Sequence, residues 1–196
     1  ATSASTQNRI AQVTMVIPAR QDPASCQAQS TFLLNSEGWL VSTAAGDPVV
    51  LPDHQATGGN GGGYVSAANG LVGAPWYWEA PGRYLGDQSC AYGETMDFDQ
   101  KQSTTGDDLN AADILLVGPS LTLAYDALQA PGTEWTPYSV PLTEGAGWVV
   151  QGTATAPTQA EMLAVLADLQ ALRIRGQYDT GANVGSLDNV YLASRG

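Results

Sequence analysis

The chain has 196 residues, of which 43% are hydrophobic and 13% are charged. This composition is typical of a folded domain rather than a disordered chain. The formal net charge is −12, with 7 Lys+Arg against 19 Asp+Glu. A surface this acidic repels phosphates, so we expect neither nucleic acid nor an anionic membrane as a partner. No apolar run approaches the roughly 20 residues of a membrane-spanning helix, so no membrane insertion is predicted.

The first 29 residues are predicted to be an N-terminal extension that carries one strand, at residues 9–18. Apolar side chains occur on both faces of this strand, at Ile10, Val13, Met15, Val16 and Ile17. Two arrangements are open: the strand pairs with the edge of its own domain, or it adds to a sheet of a neighbouring copy. The second arrangement, repeated head to tail, builds a homopolymer.

The small, polar first residues and the missing initiator Met predict a mature chain that was secreted after signal removal. Its two cysteines, Cys26 and Cys90, form no Cys-x-x-Cys pair and no cluster with histidine, which argues against a zinc site. In an exported chain we expect them to form one disulfide that closes a loop of about 65 residues. Two buried free thiols are the alternative.

Residues 30–196 are predicted to form one domain of short strands, since 22 glycines and 11 prolines interrupt the chain. The segment Asp53–Gly63 contains the run GGNGGG and predicts a flexible surface loop. A helix is predicted after Thr158, which forms a capping box with Glu161 ahead of an apolar face. The predicted strands are 32–34, 39–43, 75–79, 94–99, 112–117, 121–125, 137–142, 147–150, 172–178 and 186–192. This order predicts an all-β, mainly antiparallel, jelly-roll-like β-sandwich with one packed α-helix.

Few of the residues that catalysis needs are present. His54 is the single histidine and lies in the glycine-rich loop, and the pattern Gly-x-Ser-x-Gly is absent. We therefore predict that the chain is not an enzyme and has no cofactor. Calcium stays open, because Asp107, Asp108 and Asp188 could supply oxygen ligands. None of the three lies in an EF-hand pattern, and hydrogen bonding in a turn or at a strand end is the favoured explanation for Asp188.

Aromatic residues are the better functional lead. Trp76 and Trp78 flank Tyr77 and so share one face of a strand, and Trp135 and Tyr138 follow later. Exposed together, such rings would stack on sugars and predict an extracellular polysaccharide as partner. The alternative is core packing, because tryptophan is mostly buried in folded proteins.

Six motifs extend over the last two-thirds of the chain. They are WYWEAPGRYLGDQSCAYGETMDFD (76–99), AADILLVG (111–118), LTLAYDA (121–127), WTPYSVPLTE (135–144), LRIRGQY (172–178) and GSLDNVYL (185–192). In combination they resemble the laminin IV type A domain, also called the laminin B domain, of a secreted bacterial type. The resemblance covers roughly residues 35–193 and implies a non-catalytic extracellular β-sandwich. It transfers no catalytic or ligand-binding residue to this chain.

The resulting hypothesis is an extracellular, secreted structural or adhesive protein. Its N-terminal strand would add to a neighbouring subunit and so assemble a filament or matrix. The alternative hypothesis is a secreted carbohydrate-binding module that uses exposed aromatic side chains.

Overall fold

The computed structural model describes residues 26–194. The predicted strand at residues 9–18, with its five apolar positions, lies outside this range. In chain order the strands and the helix are β1 Ala28–Ser30, β2 Leu40–Thr43, β3 Asp53–Gln55, β4 Tyr64–Ala68, β5 Trp76–Glu79, β6 Thr95–Gln102, β7 Ile114–Val117, β8 Thr122–Tyr125, β9 Thr136–Pro141, β10 Val149–Val150, α1 Gln159–Ala167, β11 Ala171–Arg175 and β12 Val184–Ser194.

These strands form two six-stranded antiparallel sheets. The first sheet has the order β3-β4-β12-β6-β9, with β1 also paired to β12. The second sheet has the order β10-β8-β7-β11-β5-β2. Side chains of both sheets meet in one core, for example Met96 and Leu187 from the first sheet and Trp78 and Leu116 from the second. The predicted mainly antiparallel sandwich is confirmed.

Helix α1 begins where the sequence predicts. The hydroxyl of Thr158 accepts a hydrogen bond from the backbone N–H of Glu161 at 3.2 Å, and the Glu161 carboxylate accepts one from the Thr158 N–H at 2.7 Å. This reciprocal pair satisfies two backbone donors that a helix start leaves unpaired. The helix buries Met162, Val165 and Leu166 in the core. Within residues 26–194, no helix combines the length and the apolar character needed to cross a bilayer.

The predicted disulfide is confirmed. Cys26 and Cys90 are bonded, with their Cα atoms 5.8 Å apart. The bond connects the residue two positions ahead of β1 to a 3-10 turn, Ser89–Ala91, between β5 and β6. It therefore fixes the point at which residues 1–25 join the domain.

Residues 32–34 do not form the predicted strand. The Glu37 carboxylate accepts hydrogen bonds from the backbone N–H groups of Thr31 and Phe32, at 3.2 and 2.7 Å, so these donors are not free to join a ladder. Phe32 takes a φ of +50°. The resulting turn buries the Phe32 ring in the core and leaves Leu33 and Leu34 exposed.

The N-terminal boundary also differs from the sequence prediction. The proposed division between residues 29 and 30 falls inside β1, whose residues Ala28–Ser30 pair with Val190–Leu192 of β12. The sandwich therefore includes residues that the sequence assigns to the extension, because the strand that recruits them is far away along the chain.

Candidate functional site

The solvent-facing side of the first sheet, here called the outer face, carries an unusual set of polar residues. Met96 and Phe98 of β6 point into the core, so the alternating positions Asp97, Asp99 and Lys101 point to the opposite side.

The register extends this outer face onto the neighbouring strands. In β12, Asp188 lies opposite Asp99 and Tyr191 lies opposite Asp97. In β9, Pro137 lies opposite Asp99 and Ser139 opposite Asp97. Directly opposed residues of antiparallel strands share a face, so three carboxylates of the sheet interior are grouped on this side.

An open cavity of about 540 Å³, here called the Asp97 cleft, lies on this outer face. Its volume falls within the roughly 300–1,000 Å³ of small-molecule sites. The cleft is lined by Asp97, Asp99, Pro137, Tyr138, Ser139, Asn189 and Tyr191.

A bulge in β12 brings Asn189 to the cleft. The pairing with β6 shifts register between Asp188 and Tyr191, and Asn189 takes a φ of +49°, a left-handed conformation that asparagine tolerates better than most residues. Its side-chain Nδ2 donates to Asp99 Oδ2 at 2.9 Å and to the carbonyl of Asn60 at 2.8 Å. The bulge thus supplies an amide donor where a regular strand would place none.

Amide groups, and no cation, hold the carboxylates of this face within the described residues. Asp99 Oδ2 accepts a second bond from Asn60 Nδ2 at 2.9 Å. Asp188 accepts from the backbone N–H groups of Asn60 and Asn189, each at 2.7 Å. Burial raises the pKa of Asp188 to about 6, against the lowering effect of these two hydrogen bonds, and the nearby charge of Asp99 raises it further. In this part of the chain Asp97 Oδ1 is buried without a hydrogen-bond partner.

The glycine-rich segment is predicted to be a flexible surface loop; most of it does lie at the surface, but hydrogen bonds tie it to this site. Its first residues, Asp53–Gln55, form strand β3. The rest, residues 56–63, crosses the outer face, where Asn60 bonds Asp99 and Asp188. A Cβ atom on Gly59 would overlap the carbonyl of Gly63 and the Asp188 carboxylate, so glycine is required for this close approach.

A second feature of the outer face, here called the Lys101 cluster, combines Lys101 with Tyr64 and Trp135. The two rings meet edge to face at 5.4 Å, and Lys101 Nζ lies 4.8 Å from the Tyr64 centroid and 4.4 Å from that of Trp135. Lys101 Nζ and Trp135 Nε1 both donate to the carbonyl of Gly58. The cluster therefore anchors one end of the glycine-rich loop.

The predicted sugar-contacting role of Trp76 and Trp78 is corrected. Both side chains are completely buried, with ring centroids 4.9 Å apart in an edge-to-face arrangement. The Trp76 ring fills the space where Gly176 and Gly185 would carry a Cβ atom. A ligand cannot reach these rings, because the strand that carries them lies inside the sandwich.

The other two predicted aromatic contacts are half-buried. Trp135 belongs to the Lys101 cluster. Tyr138 lies opposite Phe98 and stacks on it at 4.9 Å, so its ring shares the inner face of the sheet with Phe98. The residue also borders the Asp97 cleft, but its hydroxyl donates to the carbonyl of Gln129.

The three calcium candidates already have protein partners. Asp107 pairs with Arg175 at 2.9 Å, and Asp108 accepts from the N–H and the hydroxyl of Thr180 at 2.8 and 2.7 Å. Asp107 and Asp108 border a separate cavity of about 350 Å³, and Asp188 lies on the outer face. Between residues 26 and 194 no three or more His, Cys, Asp or Glu side chains are grouped so that they could hold a metal ion.

Comparison with known proteins places these features in a family. The family model described as Laminin B (Domain IV) matches residues 77–195, which is more than half of the chain. This chain is a member of the laminin B domain family. The motifs from Trp76 onward, which the sequence analysis uses for the same assignment, lie almost entirely within the matched region. The bacterial type of the domain stays a prediction.

Human laminin subunit gamma-2 is 30% identical to this laminin B domain over 177 residues, which cover 84% of this chain and 13% of that protein. The chain thus spans about a tenth of the length of the curated relatives it matches. The L4b domain of human laminin alpha-2 has a TM-score of 0.71 at 14% identity, covering 86% of this chain and 97% of that one. A family 30 carbohydrate binding module has a TM-score of 0.51 at 12% identity, over 86% and 89% of the two chains.

Proposed function

We propose that this laminin B domain is a non-catalytic extracellular unit with a structural or adhesive role. The family match over residues 77–195 carries the proposal. The engagement of the few basic side chains supports it: His54 Nε2 is hydrogen-bonded to the Phe32 carbonyl at 2.7 Å, and Arg173 and Arg175 are paired with carboxylates of the fold. A secreted location belongs to the same proposal.

The proposal includes self-association through the predicted strand at residues 9–18. About seven residues separate this strand from Cys26, which the disulfide holds to the domain. Extended at about 3.3–3.6 Å per residue, they span about 25 Å, which is long enough to carry the strand to another subunit. The disulfide would then transmit the connection directly into the sandwich.

The sheet edges differ in their suitability as acceptors. Strand β9 ends the first sheet on one side and contains Pro137 and Pro141, which lack the N–H that a new strand would need. Strand β3 ends the same sheet on the other side and contains no proline. We therefore place the acceptor at β3 rather than β9.

Electron microscopy and light scattering of the full chain test this assembly beside a variant that lacks residues 1–20. We expect oligomers or filaments from the full chain alone. Val13→Pro, which removes one strand N–H, should also abolish assembly. Thr2→Pro is the matched control, because it makes the same kind of change ahead of the predicted strand, and it should retain assembly. Monomers from the full chain would refute strand addition.

Carbohydrate binding is the second candidate function. It is favoured by the Asp97 cleft, an open cavity that combines carboxylates with the partly exposed ring of Tyr191 on the outer face, and the fold similarity to a carbohydrate binding module is compatible with it. A screen of neutral and acidic oligosaccharides against the full chain tests it, and the absence of binding across both classes would reject it.

A further inference from the structure

The Asp97 cleft contains a carboxylate oxygen that residues 26–194 leave unpaired. This atom, Asp97 Oδ1, is buried without a hydrogen-bond partner, and the exposed Ser139 and the partly exposed Tyr191 line the same cleft. A buried carboxylate oxygen without a donor is unfavourable in free energy. Because Asp97 lines the open cleft, its carboxylate is a group that a bound donor could satisfy.

The neighbouring groups are already held in position. Asp99 Oδ2 accepts from Asn60 Nδ2 and Asn189 Nδ2, both at 2.9 Å, so its carboxylate cannot rotate freely. Asn189 is itself held by the Asn60 carbonyl. A ligand would therefore meet fixed acceptors, and the free energy of ordering them would not oppose binding.

The charges of the lining select the ligand class. Among residues 26–194, Asp97 and Asp99 line the cleft without a basic side chain, and Lys101 is engaged by two aromatic rings and the Gly58 carbonyl. Anions such as phosphates, uronic acids and sulfated sugars are therefore repelled. Carboxylate acceptors instead suit O–H donors, to which they form strong charge-assisted hydrogen bonds.

The apolar part of the lining completes the match. Tyr191 is partly exposed on the outer face, and the Pro137 ring lies across the cleft on β9. An aromatic ring beside fixed acceptors fits a molecule with apolar C–H faces and hydroxyl edges. We propose that the Asp97 cleft binds a short neutral oligosaccharide, with Asp97 and Asp99 accepting from its hydroxyls and Tyr191 packing against a ring face. This inference rests on the second candidate function and specifies its site and ligand class.

Isothermal titration of the full chain tests the proposal with neutral β-gluco-oligosaccharides, oligogalacturonate and calcium chloride as separate ligands. Asp97→Asn removes the carboxylate charge and replaces one of its two acceptor oxygens by an amide donor, and Tyr191→Ala removes the ring. Asp53→Asn is the matched control, because it makes the same charge change on the exposed strand β3, outside the cleft lining. Ser139→Trp fills the cleft from an exposed position and serves if either cleft variant fails to fold.

We expect the neutral oligosaccharides to bind and oligogalacturonate not to bind. Asp97→Asn should raise Kd about tenfold or more, as loss of a hydrogen bond to a charged group does, and Tyr191→Ala should raise it by a similar factor. Asp53→Asn should leave Kd unchanged. Neutral binding that is insensitive to the three cleft variants would overturn this site while leaving carbohydrate binding intact. If no neutral oligosaccharide binds, both the cleft site and carbohydrate binding are overturned. A response to calcium alone would mean that the ligand is a cation and not a sugar.

Discussion

The outer faces of the two sheets treat their acidic residues in opposite ways. On the second sheet, arginine side chains pair with three of the acids. Arg173 pairs with Glu79 at 2.5 Å, and Arg175 pairs with Asp107 and Asp113 at 2.9 and 3.4 Å. On the first sheet, Asp97, Asp99 and Asp188 form no ion pair within residues 26–194 and depend on amide and hydroxyl groups.

This difference separates a structural surface from a candidate binding surface. The arginines of β11 pair with carboxylates across the second sheet, and Tyr77 is buried beside them with its hydroxyl bonded to the Ala112 carbonyl. The first sheet leaves negative charge around an open cleft. In a chain with so few cations, placing two arginines on one face leaves little to balance the other.

The largest expected effect on stability comes from removing an arginine of the second sheet. Arg175→Met leaves Asp113 buried without its cation, and we expect a loss of about 3–5 kcal/mol in the free energy of unfolding at pH 7. Burial already raises the pKa of Asp113, and Arg175 lowers it. The loss should therefore shrink in acid, where Asp113 can become protonated. Urea denaturation at neutral and at acidic pH measures it.

Asp107→Asn is the control for this prediction. Asp107 is the more exposed partner of Arg175, with a side chain 55% exposed, so its removal should cost less than about 1 kcal/mol. Equal losses for Asp107→Asn and Arg175→Met would show that the buried charge of Asp113 does not set the stability of this face.

Sequence alone predicts most of the strands, the capped helix and the disulfide, because these depend on local patterns and on cysteine count. It does not predict which faces are covered. Trp76 and Trp78 alternate with Tyr77 as a half-exposed strand would, yet β5 lies inside its sheet and is buried on both sides. The segment TMDFDQK (95–101) alternates polar with apolar residues, and there Asp97 and Asp99 do face the cleft.

The cleft itself depends on long-range placement that the sequence does not reveal. Asn60 lies 128 residues from Asp188, and its contact requires glycine on both sides of the loop. The glycine run is the one sequence feature that could have indicated this contact. Glycine runs are typical of flexible loops, but here the glycines allow the loop to pack closely against the sheet. A bulge at Asn189 is equally hidden, since one residue of register shift leaves no clear pattern.

An intermediate effect is expected on the first sheet, from Asp188→Asn. The pKa of Asp188 is about 6 in the folded chain against 3.8 for the free group, so the folded state binds the proton more tightly. Stability from this carboxyl is thus greatest in acid and is lost as the pH rises from about 4 to 6, by about 1–2 kcal/mol after allowance for solvent.

Asp188→Asn removes this contribution while keeping an oxygen acceptor. The free energy of unfolding of the variant should fall less than that of the wild type as the pH rises from about 4 to about 6. The difference between the two curves isolates Asp188, because the other carboxyls are common to both proteins. Parallel curves would mean that Asp188 does not titrate in this interval. They would weaken the contrast between the second sheet, whose carboxylates pair with arginine, and the first sheet, whose carboxylates do not.

The smallest effect is expected at Lys101, the cation of the outer face. Lys101→Met keeps the apolar stem between Tyr64 and Trp135 but removes the ammonium, and we expect a loss of about 0.5–1 kcal/mol. Lys101→Arg retains a cation and should lose less.

Any lost positive charge also destabilises an acidic chain through general repulsion, so the urea series should be repeated at about 1 M salt. There the screening length is about 3 Å, and only the direct contact with the rings should remain. If the difference between Lys101→Met and wild type vanishes in salt, the lysine acts by overall charge, and the Lys101 cluster does not anchor the loop through its rings.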